Sequence, residues 1–313
     1  MTATTESQVL SQEQRDYNSF LRNVSIALFA WFLYVGSDTM TKWLAERYPA
    51  SEILLITYAL GLSFMVPFVM LRHGPRALLT PKWKWYLARS ISGALCSYAG
   101  VRALARISLP DYYSIIFLTP LLLCLMSHFF LKERIGKHRL TSIVAGFAGI
   151  LIVAGPEFES GNIGFIYAIV AVFFSALNGL MVRKIGQEKI LWLFAIYPSI
   201  AHVILNGGNL IATHQFIAPA WADIPVFLAI PPVLLTGLLC WSYAFSNAKE
   251  TAMIAPFNYS QMLWGVIVGY LLFHSLPTER TVIGAAIIIG AGLYMIWREH
   301  TLHKASVLRS LQR

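Results

Sequence analysis

Trp31, Tyr34 and Asp38 fall at i, i+3 and i+7 of an apolar run, and Lys42 continues the same helical face at i+11. An aromatic wall that ends in an acid suits a cationic or zwitterionic ligand, through cation–π contact with the rings and charge pairing with the carboxylate. Asp38 stands about fifteen residues into its run, or about 22 Å along a helix that rises 1.5 Å per residue. An acid inside hydrocarbon is costly and is by default a functional residue. The competing reading is a surface pair with Lys42 at i+4.

Tyr98, Arg102 and Arg106 form a second polar stripe at i, i+4 and i+8. Arg102 needs a partner at its depth, and Asp38 and Asp111 are the candidates; paired with Asp38 it would form a charged gate, and as an anchor it would instead snorkel to the surface. Asn258, Gln261 and Gly265 share a face with Tyr259 and Trp264 beside it, a pattern of interhelical hydrogen bonds or of ligand contacts. Phe174 and Asn178, Tyr113 and Phe117, each at i and i+4, and Trp241 complete the candidate substrate-binding set. Pro120, Pro198, Pro231 and Pro232 lie inside apolar runs as candidate hinges. Gly146, Gly149, Gly284, Gly290 and Gly292 suit close helix packing. His202 has no obvious partner in the sequence.

The elements that must hold these residues are apolar stretches of roughly 17 to 25 residues, each long enough to cross a hydrocarbon core about 30 Å thick. They are drawn at 23–44, 51–71, 84–106, 112–131, 138–155, 161–182, 190–211, 223–246, 252–273 and 279–297. Runs such as 285–297 are apolar all round rather than alternating, so helices and not barrel strands satisfy their backbone. The expected class is an all-α membrane protein of ten transmembrane helices. Hydrophobic content of 57% and charged content of 12% agree.

With the N-terminus inside, the inner side collects Arg72, Arg76, Lys82, Lys84, Arg89, Lys132, Arg134, Lys137 and Arg139 among others, and the outer side only Lys42, Arg47, Arg102, Arg106 and Arg280. Residues 1–22 and 298–313 are then cytoplasmic tails, and the net charge of +9 needs no nucleic-acid partner. Cys96, Cys124 and Cys240 fall inside spans with no metal-ligand spacing, which argues against disulfides and a metal site. Neither a phosphate-binding GxxxxGK[ST] loop nor HExxH or GxSxG chemistry occurs, so no cofactor and no enzymatic activity are expected.

The chain resembles itself at an offset of about 142 residues, between 107–153 and 249–296. Five spans per copy, 23–155 and 161–297, would make the halves an inverted repeat, able to rock between outward-open and inward-open forms around a central site.

Pro110, Thr119-Pro120, Leu131-Lys132-Glu133-Arg134 and Gly146-Phe147-Ala148-Gly149 give residues 102–156 a resemblance to the EamA type of the drug/metabolite transporter superfamily. The second half repeats the pattern more loosely, with Ser275 where that family usually has the glutamate matching Glu133. The segments 36–44 and 255–273 are similar to the bacterial S-adenosylmethionine uptake branch, while related branches carry riboflavin, choline, amino acids or metallophores. The resemblance implies a secondary transporter in a bacterial inner membrane, with a cavity lined mainly by spans 1, 3, 4, 6, 8 and 9. It would move a small polar, cationic or aromatic metabolite, driven by protons or by a counter-transported solute. A lipid-interacting membrane scaffold is the reading from another class, and a central cavity without polar residues would mark it.

Overall fold

The computed structural model describes residues 2–131, 137–159, 161–185, 192–246 and 255–311. Among them the secondary structure is helical, with no strand. The chain runs through α1 (Thr2–Ala45), α2 (Ala50–His73), α3 (Trp83–Leu104), α4 (Leu109–Ile116), α5 (Thr119–Leu131) and α6 (Lys137–Glu159). It continues through α7 (Ile163–Ile185), α8 (Leu193–Thr213), α9 (Ile224–Ser246), α10 (Ser260–Phe273) and α11 (Glu279–Leu311). Short 3-10 turns at Pro75–Leu78 and Ala255–Tyr259 precede α3 and α10. Leu21–Ala45, Ala50–His73, Leu109–Phe130, Ile163–Val182 and Ile224–Trp241 are long and apolar enough to cross a membrane.

Local chemistry sets the ends. Gly74, at φ 77°, adopts the left-handed backbone that stops α2, and its N–H closes on the Met70 carbonyl. Ser108 caps α4, its Oγ accepting from the Asp111 N–H at 3.2 Å, with Pro110 in the first turn where no N–H is needed.

Two expected spans are not single helices. The stretch 112–131 divides at residues 117–118 into α4 and α5. Pro120 has no N–H to offer the preceding turn, so it opens α5 rather than bending one continuous helix. The stretch 252–273 begins, where it is described, as the 3-10 turn and becomes α-helical only at Ser260. The Leu-Lys-Glu-Arg break at 131–134 lies mostly outside the described residues.

α3 packs against α7 and α8, α1 against α9, α2 against α8, and α6 against α11. The principal core gathers Tyr113, Phe117, Leu121, Ile150, Val153, Phe165 and Ile288. Phe64, Leu71, Leu151, Ile204, Ile211 and Leu271 are exposed, a side-chain distribution expected where the surrounding solvent is hydrocarbon rather than water.

The α6–α11 contact depends on two glycines. A Cβ on Gly149 would lie 2.8 Å from the Gly284 carbonyl oxygen, and one on Gly284 would lie 2.6 Å from that of Gly149. Backbone cannot yield as a side-chain tip can. Gly149→Val should therefore lower the detergent melting temperature by the equivalent of about 1–3 kcal/mol. Gly290→Ala, at a position open for at least 4 Å, should be neutral or stabilising; equal losses from the two variants would refute the packing assignment.

Candidate functional site

A cavity of about 710 Å³ lies between α2, α3, α8 and α9, with single contributions from Tyr34 of α1 and Asn178 of α7. Its walls are largely apolar and aromatic, and Thr57, Arg89, Ser97, Asn178, Ser199 and His202 supply polar groups. That combination is typical of small-molecule sites. On α3 the lining residues Arg89, Gly93, Cys96 and Ser97 follow at i, i+4, i+7 and i+8, one face of the helix.

One end of the cavity holds Arg89 and Phe194, near the starts of α3 and α8. Arg89 Nη1 donates to the Phe194 carbonyl at 2.7 Å, and the guanidinium lies 5.2 Å from the Phe194 ring centroid. Farther along, the Tyr58 and His202 rings stack, with centroids 3.7 Å apart and planes 4° from parallel. Asn206 Nδ2 donates to the His202 carbonyl at 2.9 Å and fixes the next turn.

Asp38 lies off the cavity wall, near its lining residues Tyr34, Tyr58 and Cys96. Its Oδ2 accepts the Tyr113 hydroxyl at 2.8 Å. Tyr34, Tyr58, Cys96 and Tyr112 also lie within electrostatic reach of the carboxylate. No cation pairs with it among the described residues. Lys42 turns away from Asp38 and donates to the Leu104 and Ile107 carbonyls at 2.6 and 2.7 Å, satisfying the end of α3. Arg102 likewise meets neither Asp38 nor Asp111. It lies over the Tyr98 and Tyr167 rings and donates to the Tyr167 hydroxyl at 3.3 Å. Asp111 accepts from Ser108 at 2.6 Å and from Thr281 at 2.5 Å.

Of the residues singled out from the sequence, Tyr34 and Asn178 line the cavity. Trp31 packs on Tyr34, with ring centroids 5.5 Å apart. Tyr113 and Phe117 are 1% exposed and belong to the core, where the Tyr113 ring fills the space over Gly265 and Phe117 meets Tyr259 at 5.0 Å. Gln261 Nε2 donates to the Asn258 side-chain and backbone oxygens, so the two amides pair along one helix face. Trp264 packs edge-on against Phe32 at 5.3 Å, and Phe174 against Phe173 at 5.4 Å. Trp241, Tyr98 and Arg102 lie off the cavity wall. Spans 4 and 9 thus close on each other instead of lining this cavity, and spans 2 and 7 take their place.

Sequence reasoning passed over Thr57, Tyr58, Arg89, Phe194 and Ser199. Arg89 had been counted with the surface charges, yet it stands six residues after Trp83, about 9 Å into the helix. That depth was the available signal.

At the other end of the same helices a polar tie joins the α1–α2 turn to the segment after α8. Asp223, 1% exposed, accepts from Arg47 at 2.8 Å and from Tyr48 at 2.6 Å. The Tyr48 oxygen accepts the Ala220 N–H, and Glu52 accepts the Ile217 N–H, both at 2.9 Å. The bond to Asp223 holds the Tyr48 phenol above the usual tyrosine range, partly offset by the Ala220 N–H.

Residues 21–155 match the EamA-like transporter family. An S-adenosylmethionine uptake transporter of Rickettsia bellii is 24% identical over 289 residues, 90% of this chain and 97% of that protein. A riboflavin transporter of Vibrio cholerae is 25% identical, covering 82% and 86%, and a pseudopaline exporter of Pseudomonas aeruginosa is 24% identical, covering 86% and 93%. A solved crystal structure superposes with a TM-score of 0.60 at 15% identity, covering 89% of this chain and 96% of that one, which shows a shared fold.

Cys96 lines the cavity, whereas Cys124 and Cys240 do not. A leucine at Gly61, whose ideal Cβ sits 3.5 Å from the Met65 side chain, projects into that space. In protein bearing Cys96 as its sole cysteine, Gly61→Leu should slow modification by a small methanethiosulfonate several-fold, read by mass spectrometry. An unchanged rate would mean that the reagent does not reach Cys96 through the cavity.

Proposed function

The chain carries an EamA-like transporter family domain over residues 21–155, and from that premise we propose a secondary transporter that moves a small, polar, ring-bearing metabolite across a bacterial inner membrane. The observation that carries this reading is the cavity itself, built by α1 to α3 of the first half and α7 to α9 of the second. A site between two halves is what alternating access requires.

In the proposed arrangement ten spans form two inverted five-helix repeats, 23–155 and 161–297, with 1–22 and 298–313 as cytoplasmic tails. Two features support the repeat. The break at residues 117–118 and the start of α10 at Ser260 are separated by about the 142-residue offset seen in the sequence. Moreover, α4 and α10 pack on each other through Tyr113 and Gly265. In this topology the Asp223 tie closes the outer side, and Arg89 and Phe194 face the cytoplasmic half. Opening outward then means releasing Arg47 and Tyr48 from Asp223.

The aromatic walls, with Asp38 behind Tyr34 and Tyr58, suit a solute of the S-adenosylmethionine kind, a planar base with a cationic centre. Riboflavin, choline or an amino acid is the alternative cargo on the same fold. Protonation of Asp38 or exchange for a second solute would supply the drive. The polar groups of the wall disfavour the lipid-scaffold reading.

Detergent-purified protein should be stabilised by its solute, by about 2.7 kcal/mol at a hundred times Kd. Asp38→Asn should keep the fold, judged by melting temperature without ligand, and lose uptake of S-adenosylmethionine in proteoliposomes. Unimpaired uptake by Asp38→Asn would remove the acid from the transport cycle. Failure of S-adenosylmethionine, riboflavin, choline and aromatic amino acids alike to stabilise the wild-type protein would overturn the metabolite reading.

A further inference from the structure

Arg89 is a cation inside the membrane domain that lines the cavity without a counter-charge. No carboxylate pairs with it among the described residues. One of its five N–H groups is used by the Phe194 carbonyl, and its Nε is buried with no hydrogen-bond partner. Lys42 holds two carbonyls and Asp38 the Tyr113 hydroxyl. Arg102, with a hydroxyl and two rings, shares with Arg89 a buried Nε that has no partner, but it lies off the cavity wall. A carbonyl and a ring face compensate a guanidinium only in part, because neither carries a full negative charge.

We propose that Arg89 is the anion subsite of the cavity, taking a carboxylate or phosphate of the transported solute. This deepens the transporter reading and rests on it. The solute then spans the cavity in one orientation. Its acidic group lies on Arg89, and its ring lies among Phe194, Tyr58 and Tyr34, with any cationic centre toward Asp38. Arg89 and Cys96 are seven residues apart on one face of α3, so the two poles are separated by about 10 Å along the helix. A planar guanidinium can hold two oxygens of one acidic group, a geometry that lysine cannot reproduce. The cavity therefore selects ring compounds bearing an acidic group over their uncharged or purely cationic analogues. Simple choline falls outside this class, since it has no acidic group.

Matched pairs test this: S-adenosylmethionine against its decarboxylated analogue, tryptophan against tryptamine, and flavin mononucleotide against riboflavin. The full chain in detergent is titrated with both members of each pair, as wild type, Arg89→Lys and Arg89→Gln. The ratio of the two Kd values within one protein is independent of how much of a variant is folded.

For at least one pair the wild type should favour the acidic member by about tenfold or more, the size expected of a charge-assisted contact. That ratio should fall to about one in Arg89→Gln and stay between in Arg89→Lys. The flavin pair separates a phosphate from the carboxylates. If Arg89 merely anchors α8 through Phe194, Arg89→Gln will weaken both members alike and the ratio will survive, which overturns the assignment. Equal binding of both members of every bound pair by the wild type overturns it too and leaves the transporter reading standing. Binding of no member of any pair overturns both.

Discussion

A charge in hydrocarbon must find a compensating group, and that constraint organises the membrane part of this protein. Four side chains meet it in four ways. Lys42 spends its ammonium on the last carbonyls of α3 and the turn beyond, which fastens α1 to α3. Arg102 lies between tyrosine rings. Asp38 accepts a tyrosine hydroxyl. Arg89 takes one carbonyl and one ring face and faces open volume. Of these four, Arg89 lines the cavity, and Asp38 lies near its lining residues Tyr34, Tyr58 and Cys96.

The second constraint is backbone hydrogen bonding, which lipid enforces as strictly as charge. The break before Pro120 divides α4 from α5 and a 3-10 turn leads into α10 at Ser260, and in both places the irregular backbone is covered by protein. Phe117 at the first break and Tyr259 at the second meet edge to face at 5.0 Å. The consequence reaches the cavity. α4 and α10 close on each other, with Tyr113 seated over Gly265 and its hydroxyl on Asp38, and contribute no residue to the cavity lining.

Helical class and most element positions were legible in the sequence, because hydropathy over twenty residues reports the solvent directly. Lys42 shows what was not legible. Its spacing from Asp38 satisfies the i+4 rule, yet a carbonyl cluster from another helix outcompetes the neighbouring acid, and nothing local announces that cluster. Asn258 and Gln261 are similar: two amides on one face read equally as ligand contacts and as partners, and the fold pairs them. Tyr34 and Asn178, singled out by helical spacing on spans that the resemblance turns to a cavity, line it, whereas Trp31 and Phe174, chosen by the same spacing, do not. Arg89 was missed because an inner-side charge ordinarily marks a loop, and only depth along α3 separates an anchor from a wall residue.

The arrangement also bears on how the two ends of the bundle could differ in mobility. The Asp223 tie draws on two buried carboxylates, Asp223 and Glu52, a phenol, a half-exposed arginine and two backbone N–H groups. Its parts belong to the turn after α1, the first turn of α2 and the segment before α9, and α1 and α9 pack on each other. At the opposite end, among the described residues, Lys82 donates to the Ile185 carbonyl, Arg89 to that of Phe194 and Tyr197 to that of Leu78. A network centred on one buried acid breaks cooperatively.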